Sequence, residues 1–96
     1  MRRIFKHSFE DGPRDVAEIT VAKGTKMLSV INQYDKITVY YETDPNEKET
    51  TSFRLLTYGI GHALGGIESH DGDYQFLGTV ALLGGNFVGH VYFKEV

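Results

Sequence analysis

The chain has no cysteine. That removes a disulfide framework, a thiolate metal cluster and a cysteine nucleophile together, and it fits a reducing interior. An excess of positive charge is missing too: ten lysines and arginines stand against thirteen aspartates and glutamates, a formal net charge of −3. Duplex nucleic acid calls for a basic face, so it is not an expected partner. No apolar run approaches the roughly 20 residues of a membrane span, and the opening "MRRIFKHSFE" carries charge with no apolar stretch behind it. The expectations are no membrane partner and a cytoplasmic location. Long apolar patterns of period 3.6 are also absent, which leaves little for amphipathic helices.

What is present is a series of short segments rich in Val, Ile, Thr, Tyr and Phe, separated by turn residues. This is the pattern of an all-β chain. Seven strands are expected, at about 3–9, 16–22, 26–32, 36–43, 51–58, 74–83 and 86–94. The separators have turn chemistry: "EDGPRD", the glycine corner "KGTK", the hairpin tip "QYD" and the charged "DPNEKE". At 96 residues and 41% hydrophobic, the chain suits one domain over residues 1–96 with a single core. The expected architecture is a small antiparallel β-sandwich or a partly closed barrel of about seven strands.

Two segments allow finer expectations. In "KITVYYET", Ile37, Val39 and Tyr41 alternate with Lys36, Thr38, Tyr40 and Glu42, which predicts a half-buried strand. The last two segments flank Gly84-Gly85, and a two-residue loop there pairs residues whose numbers sum to 169. One face then holds Phe76/Phe93, Gly78/Val91, Val80/Gly89 and Leu82/Phe87, and the other Leu77/Tyr92, Thr79/His90, Ala81/Val88 and Leu83/Asn86. The first face is expected in the core, its glycines leaving room for bulky neighbours or marking bends. The second carries Thr79, His90 and Tyr92, which can bond polar atoms, and a hairpin apolar on both faces is central in a sandwich or covered by a partner subunit.

The motifs "RIFKHSF", "ITVAKGTKMLSVINQ", "FRLLTYGIGH" and "FLGTVALLGGNFVGHVYFKE" together resemble a family of short phage and prophage proteins of unknown function. Its members tend to open on Ile-(Phe/Tyr)-Lys, continue through Gly-Ala-x-x-Leu-Ser-Val and Tyr-Gly-Thr-Gly-His, and close on Gly-Thr-x-x-Leu-x-x-Gly-x-x-Val-x-His-Val-Phe. The likeness runs from Ile4 to Phe93. Thr25 stands where alanine is usual, Ile60 where threonine is usual, and "ALGGIESHDGD" is longer than the usual segment. The resemblance implies a phage-borne, intracellular, small β protein and hands over no catalytic residue. Small phage proteins of this size include sponges that sequester nucleotide signals of bacterial immunity, an analogy of scale only.

The richest local chemistry is "YGIGHALGGIESHDGD". Gly59-x-Gly61 follows a strand as a dinucleotide fingerprint would, but position 64 is Leu and no βαβ unit follows; Gly-Lys-Ser/Thr is absent, which excludes a Walker A loop. A weaker anion nest survives: Gly59 and Gly61 can present backbone N–H groups, with Arg54, Tyr58 and His62 near in sequence. Arg54 and Tyr58 share one side of their strand, a grip suited to a phosphate and a base. The alternative is that the two glycines only end the strand while Tyr58 caps the core. His62 and His70 are eight residues apart across glycines, and "DGD" lacks the other ligands of an EF-hand loop, so no metal site is expected from these with Asp71 and Asp73. A hydrolase would need His62 or His90 beside Ser69 or a water, and no Gly-x-Ser-x-Gly elbow is present. His7 alternates with Phe5 and Phe9 and is expected to point inward or to an interface, a bonded structural histidine being the simpler account. His90 is either a bonded core residue or a ligand donor, and Asn86 a turn residue.

The resulting expectation is a non-enzymatic, homo-oligomeric binder of a small anionic ligand, with a nucleotide-type signal as the specific guess. Its site would comprise Arg54, Tyr58, Gly59, Gly61 and His62 on one wall and Thr79, His90 and Tyr92 on the other, with no cofactor. A structural or protein-binding phage module and a small nucleotide hydrolase are the alternatives.

Overall fold

The structure, a computed structural model, describes residues 1–9, 16–59 and 74–96. Seven strands run through them: β1 (Arg3–Ser8), β2 (Val16–Ala22), β3 (Lys26–Gln33), β4 (Lys36–Thr43), β5 (Thr50–Gly59), β6 (Gln75–Leu82) and β7 (Phe87–Glu95). Each expected segment is a strand, with its ends within one residue of expectation. They form two antiparallel sheets, ordered β1-β4-β3 and β2-β5-β7-β6. The glycine corner at Gly24 (φ 86°) and the loop around Asp44, whose carboxylate accepts the Asn46 N–H at 2.9 Å, carry the chain from one sheet to the other. The expected turn in "EDGPRD" and a helical turn within "HALGGIES" lie outside the described residues. Among the described residues no helix is long and apolar enough to cross a membrane.

The core lies between the sheets, built from alternate residues of each strand: Ile19 and Val21, Ile37 and Val39, Phe53 and Leu55, Val80 and Leu82, with Val30 and Val91. Each such side chain contributes about 1.5–3 kcal/mol by leaving water. Along one side the edge strands β3 and β6 close on each other. A Cβ at Gly78 would stand 3.0 Å from Val30 Cγ1, so glycine there permits the approach. Asn32 Nδ2 donates to Ala81 O at 2.8 Å, satisfying a carbonyl on that edge.

Several expectations are corrected. β4 is not half-buried, because Thr38 on its more polar face is 0% exposed; its hydroxyl lies 2.9 Å from Ser8 Oγ on the neighbouring β1. Of the two orientations expected for His7, the inward one is ruled out: β1 is an edge strand, and His7 is exposed with its ring against Phe9 at 4.9 Å between centroids. The β6–β7 register of sum 169 holds from Gly78/Val91 through Thr79/His90 to Leu82/Phe87. Its tip is wider than two residues. Leu83, Gly84 and Gly85 all take positive φ, and Leu83 and Asn86 leave the ladder because the Leu83 N–H turns to Asp35 Oδ1 at 2.7 Å. At the other end a bulge at Leu77 shifts the pairing to Phe76/Tyr92 and Gln75/Phe93, so neither Phe76/Phe93 nor Leu77/Tyr92 is a pair.

Candidate ligand-binding face

Strand alternation gives the four-stranded sheet two unlike faces. On β5, Phe53 and Leu55 belong to the core, so Arg54, Leu56 and Tyr58 point the other way. The same holds for His90 and Tyr92 on β7, beside the core residue Val91. Register then assembles cross-strand rows on this outer face. Tyr58 lies opposite His90, which lies opposite Thr79. Leu56 lies opposite Tyr92, which lies opposite Phe76, and Glu18 opposite Arg54, which lies opposite Lys94.

Of the residues the sequence singles out, Arg54, Tyr58, Thr79, His90 and Tyr92 thus share one surface on three adjacent strands, not two opposed walls. Gly59 ends β5 opposite Gly89. Gly61 and His62 lie outside the described residues, as do Ile60, Ser69, His70, Asp71 and Asp73. Among the described residues no group of three or more His, Asp or Glu side chains could hold a metal.

Three rings form a connected patch: Tyr58 meets Tyr92 at 6.1 Å and Phe76 meets Tyr92 at 5.4 Å, both edge to face. Phe76 is 56% exposed, whereas Leu56 at the other end of its row is 4% exposed. The row is therefore covered at Leu56 and open at Phe76. Thr79 Oγ1 lies 2.9 Å from His90 Nδ1, which fixes the imidazole and leaves its Nε2 for another partner.

The cationic corner is already engaged. Arg54 Nε and Nη2 each donate to Glu18 Oε2 at 3.4 Å, a long, exposed pairing. Tyr74, by hydrogen bonding and charge, and then Glu18 raise the Arg54 pKa above its ordinary value. Lys94 Nζ stands 5.8 Å from the centre of the buried Tyr74 ring.

Phe76 is the residue of this face that sequence reasoning places wrongly. Without the bulge at Leu77 it would stand in the core beside Phe93. Glu18 was missed because the β2–β5 pairing that sets it against Arg54 is non-local, and neither segment carries a mark of its partner.

The family model for "Domain of unknown function (DUF7352)" matches residues 1–96. The chain belongs to the DUF7352 family. No curated protein and no solved structure matches it. In this DUF7352 chain the face itself carries the chemistry: aromatic rings for a flat group, a fixed imidazole, and a guanidinium engaged by Tyr74 and, at 3.4 Å, by Glu18.

Proposed function

We propose that this protein is a non-enzymatic binder of a small anionic aromatic molecule of nucleotide type, held on the outer face of the four-stranded sheet. The observation that carries the reading is the convergence of Tyr58, Phe76 and Tyr92 with Thr79–His90 on three adjacent strands. Aromatic side chains on a sheet face are a general platform for bases, worth about 1–3 kcal/mol per stacked base. Arg54 would meet the phosphate by exchanging its long contact with Glu18 for a charge-assisted bond to the ligand. In a phage-borne chain, which the resemblance to short phage proteins implies, such a binder would act in the host cytoplasm as a homo-oligomeric sponge. It would lower free signal by mass action, without chemistry.

The test is to incubate the purified protein with a panel of cyclic and ADP-ribose-type nucleotides, remove unbound compound, heat the protein and analyse what is released. An unchanged nucleotide is the expected result. A modified product would make the protein an enzyme, and retention of none would contradict the reading. Exposed Phe76 supports one alternative, in which the same face covers a protein partner; that case also returns no nucleotide.

A further inference from the structure

A second candidate site lies away from the aromatic rows, at one end of the space between the sheets. A cavity of about 380 Å³ opens there, lined by Thr25, Lys26 and Met27 from the start of β3 and by Phe53, Gln75, Phe93, Lys94 and Glu95 from the other sheet. Its volume falls within the usual range for small-molecule pockets. The inner wall is apolar: Phe53 and Phe93 stand 6.0 Å apart between ring centroids, and Met27 packs against the same core. The mouth is polar, with exposed Lys26, Gln75 and Glu95.

Two backbone irregularities border this cavity. β3 is bulged between Met27 and Ser29, and β6 between Phe76 and Gly78. They lie on the two edge strands that close on each other further along, each within two residues of a lining side chain. Bulges bend and re-aim strands, and they recur beside binding sites. Here they turn Gln75 in line with Phe93 and place Met27 ahead of the closed stretch at Val30 and Gly78.

The charges at the mouth select the ligand. One oxygen of the Glu95 carboxylate is engaged, Oε2 accepting from Thr51 Oγ1 at 2.8 Å. Among the described residues Lys26 has no hydrogen bond or ion pair, so its ammonium is available at the rim. Lys94, whose ammonium lies 5.8 Å from the Tyr74 ring centre, adds a second positive charge to the lining. We propose that this cavity binds a small carboxylate with a flat or branched apolar body, its hydrocarbon part against Phe53, Phe93 and Met27 and its anionic end at Lys26 and Lys94. This inference is independent of the nucleotide reading: of the outer-face rows it shares Lys94 alone, which that reading does not use to hold the nucleotide.

Benzoate, benzamide and benzylammonium share a ring and differ in charge, and they serve as probes in an amide-shift titration of the whole chain. Benzoate is expected to shift Lys26, Met27, Gln75 and Phe93 saturably, with benzamide about tenfold weaker and benzylammonium weaker still. Lys26→Gln, at an exposed position, is expected to weaken benzoate about tenfold with an unchanged thermal midpoint. Equal or tighter binding of benzylammonium, benzoate shifts confined to Tyr58, His90 and Tyr92, or no saturable shift at all would each overturn the proposal.

Discussion

At the scale of single residues, most of what matters is the absence or presence of one carbon or one hydroxyl. A Cβ at Gly89 would stand 2.8 Å from both Phe87 Cε2 and Thr57 Cγ2. Gly89→Ala should therefore cost about 1–3 kcal/mol, measured as a lower urea midpoint with an unchanged slope. The sequence anticipated room at positions 78 and 89 but could not say which neighbour fills it. Thr25 is buried with its hydroxyl 2.7 Å from Thr43 Oγ1 and 2.6 Å from Ala22 O. Thr25→Ala leaves the buried Thr43 hydroxyl without that partner and should cost about 1–3 kcal/mol in the same assay. On the candidate site, Glu18→Gln releases Arg54 from its nearest carboxylate. Nucleotide affinity should rise about two- to fivefold, the upper range of an exposed ion pair, and a fall would mean that Glu18 itself contacts the ligand.

At the scale of elements, the two hairpin tips act together. The β3–β4 turn places Tyr34 and Asp35 at φ 53° and 60°, as a type I′ turn requires, and the β6–β7 tip places Leu83 at φ 55°. Asp35 joins them through the Leu83 N–H, while its own N–H donates to Asn32 Oδ1 at 2.8 Å. The left-handed conformation is unfavourable for Tyr34, which is 88% exposed and loses no packing on substitution. Tyr34→Asn should raise stability by about 0.5–1 kcal/mol, read as a higher thermal midpoint.

The strands themselves were legible because alternation and turn residues are local signals. The register from Gly78 to Leu82 was legible because the hairpin is local too. The bulge at Leu77 was not, since one extra residue in an apolar run changes no residue type, yet it moves Phe76 from the core to the aromatic patch. The wider tip was hidden for a different reason: the residue that shapes it, Asp35, lies in another hairpin.

At the scale of the whole molecule, two antiparallel sheets share one core and leave an aromatic face on one side and a partly charged cavity at one end. Arg54, Tyr58, Thr79, His90 and Tyr92 were singled out from sequence and Phe76 and Glu18 were not, and their arrangement as a single surface needed the β5–β7 pairing, which joins residues thirty or more positions apart. The most direct measurement of the central claim is the affinity of whichever nucleotide the protein retains, compared between wild type, Tyr92→Phe and Tyr92→Leu by calorimetry. Near-wild-type affinity is expected for Tyr92→Phe and a loss of about tenfold or more for Tyr92→Leu, as removal of a stacking ring requires. Equal affinity in all three proteins would contradict that claim.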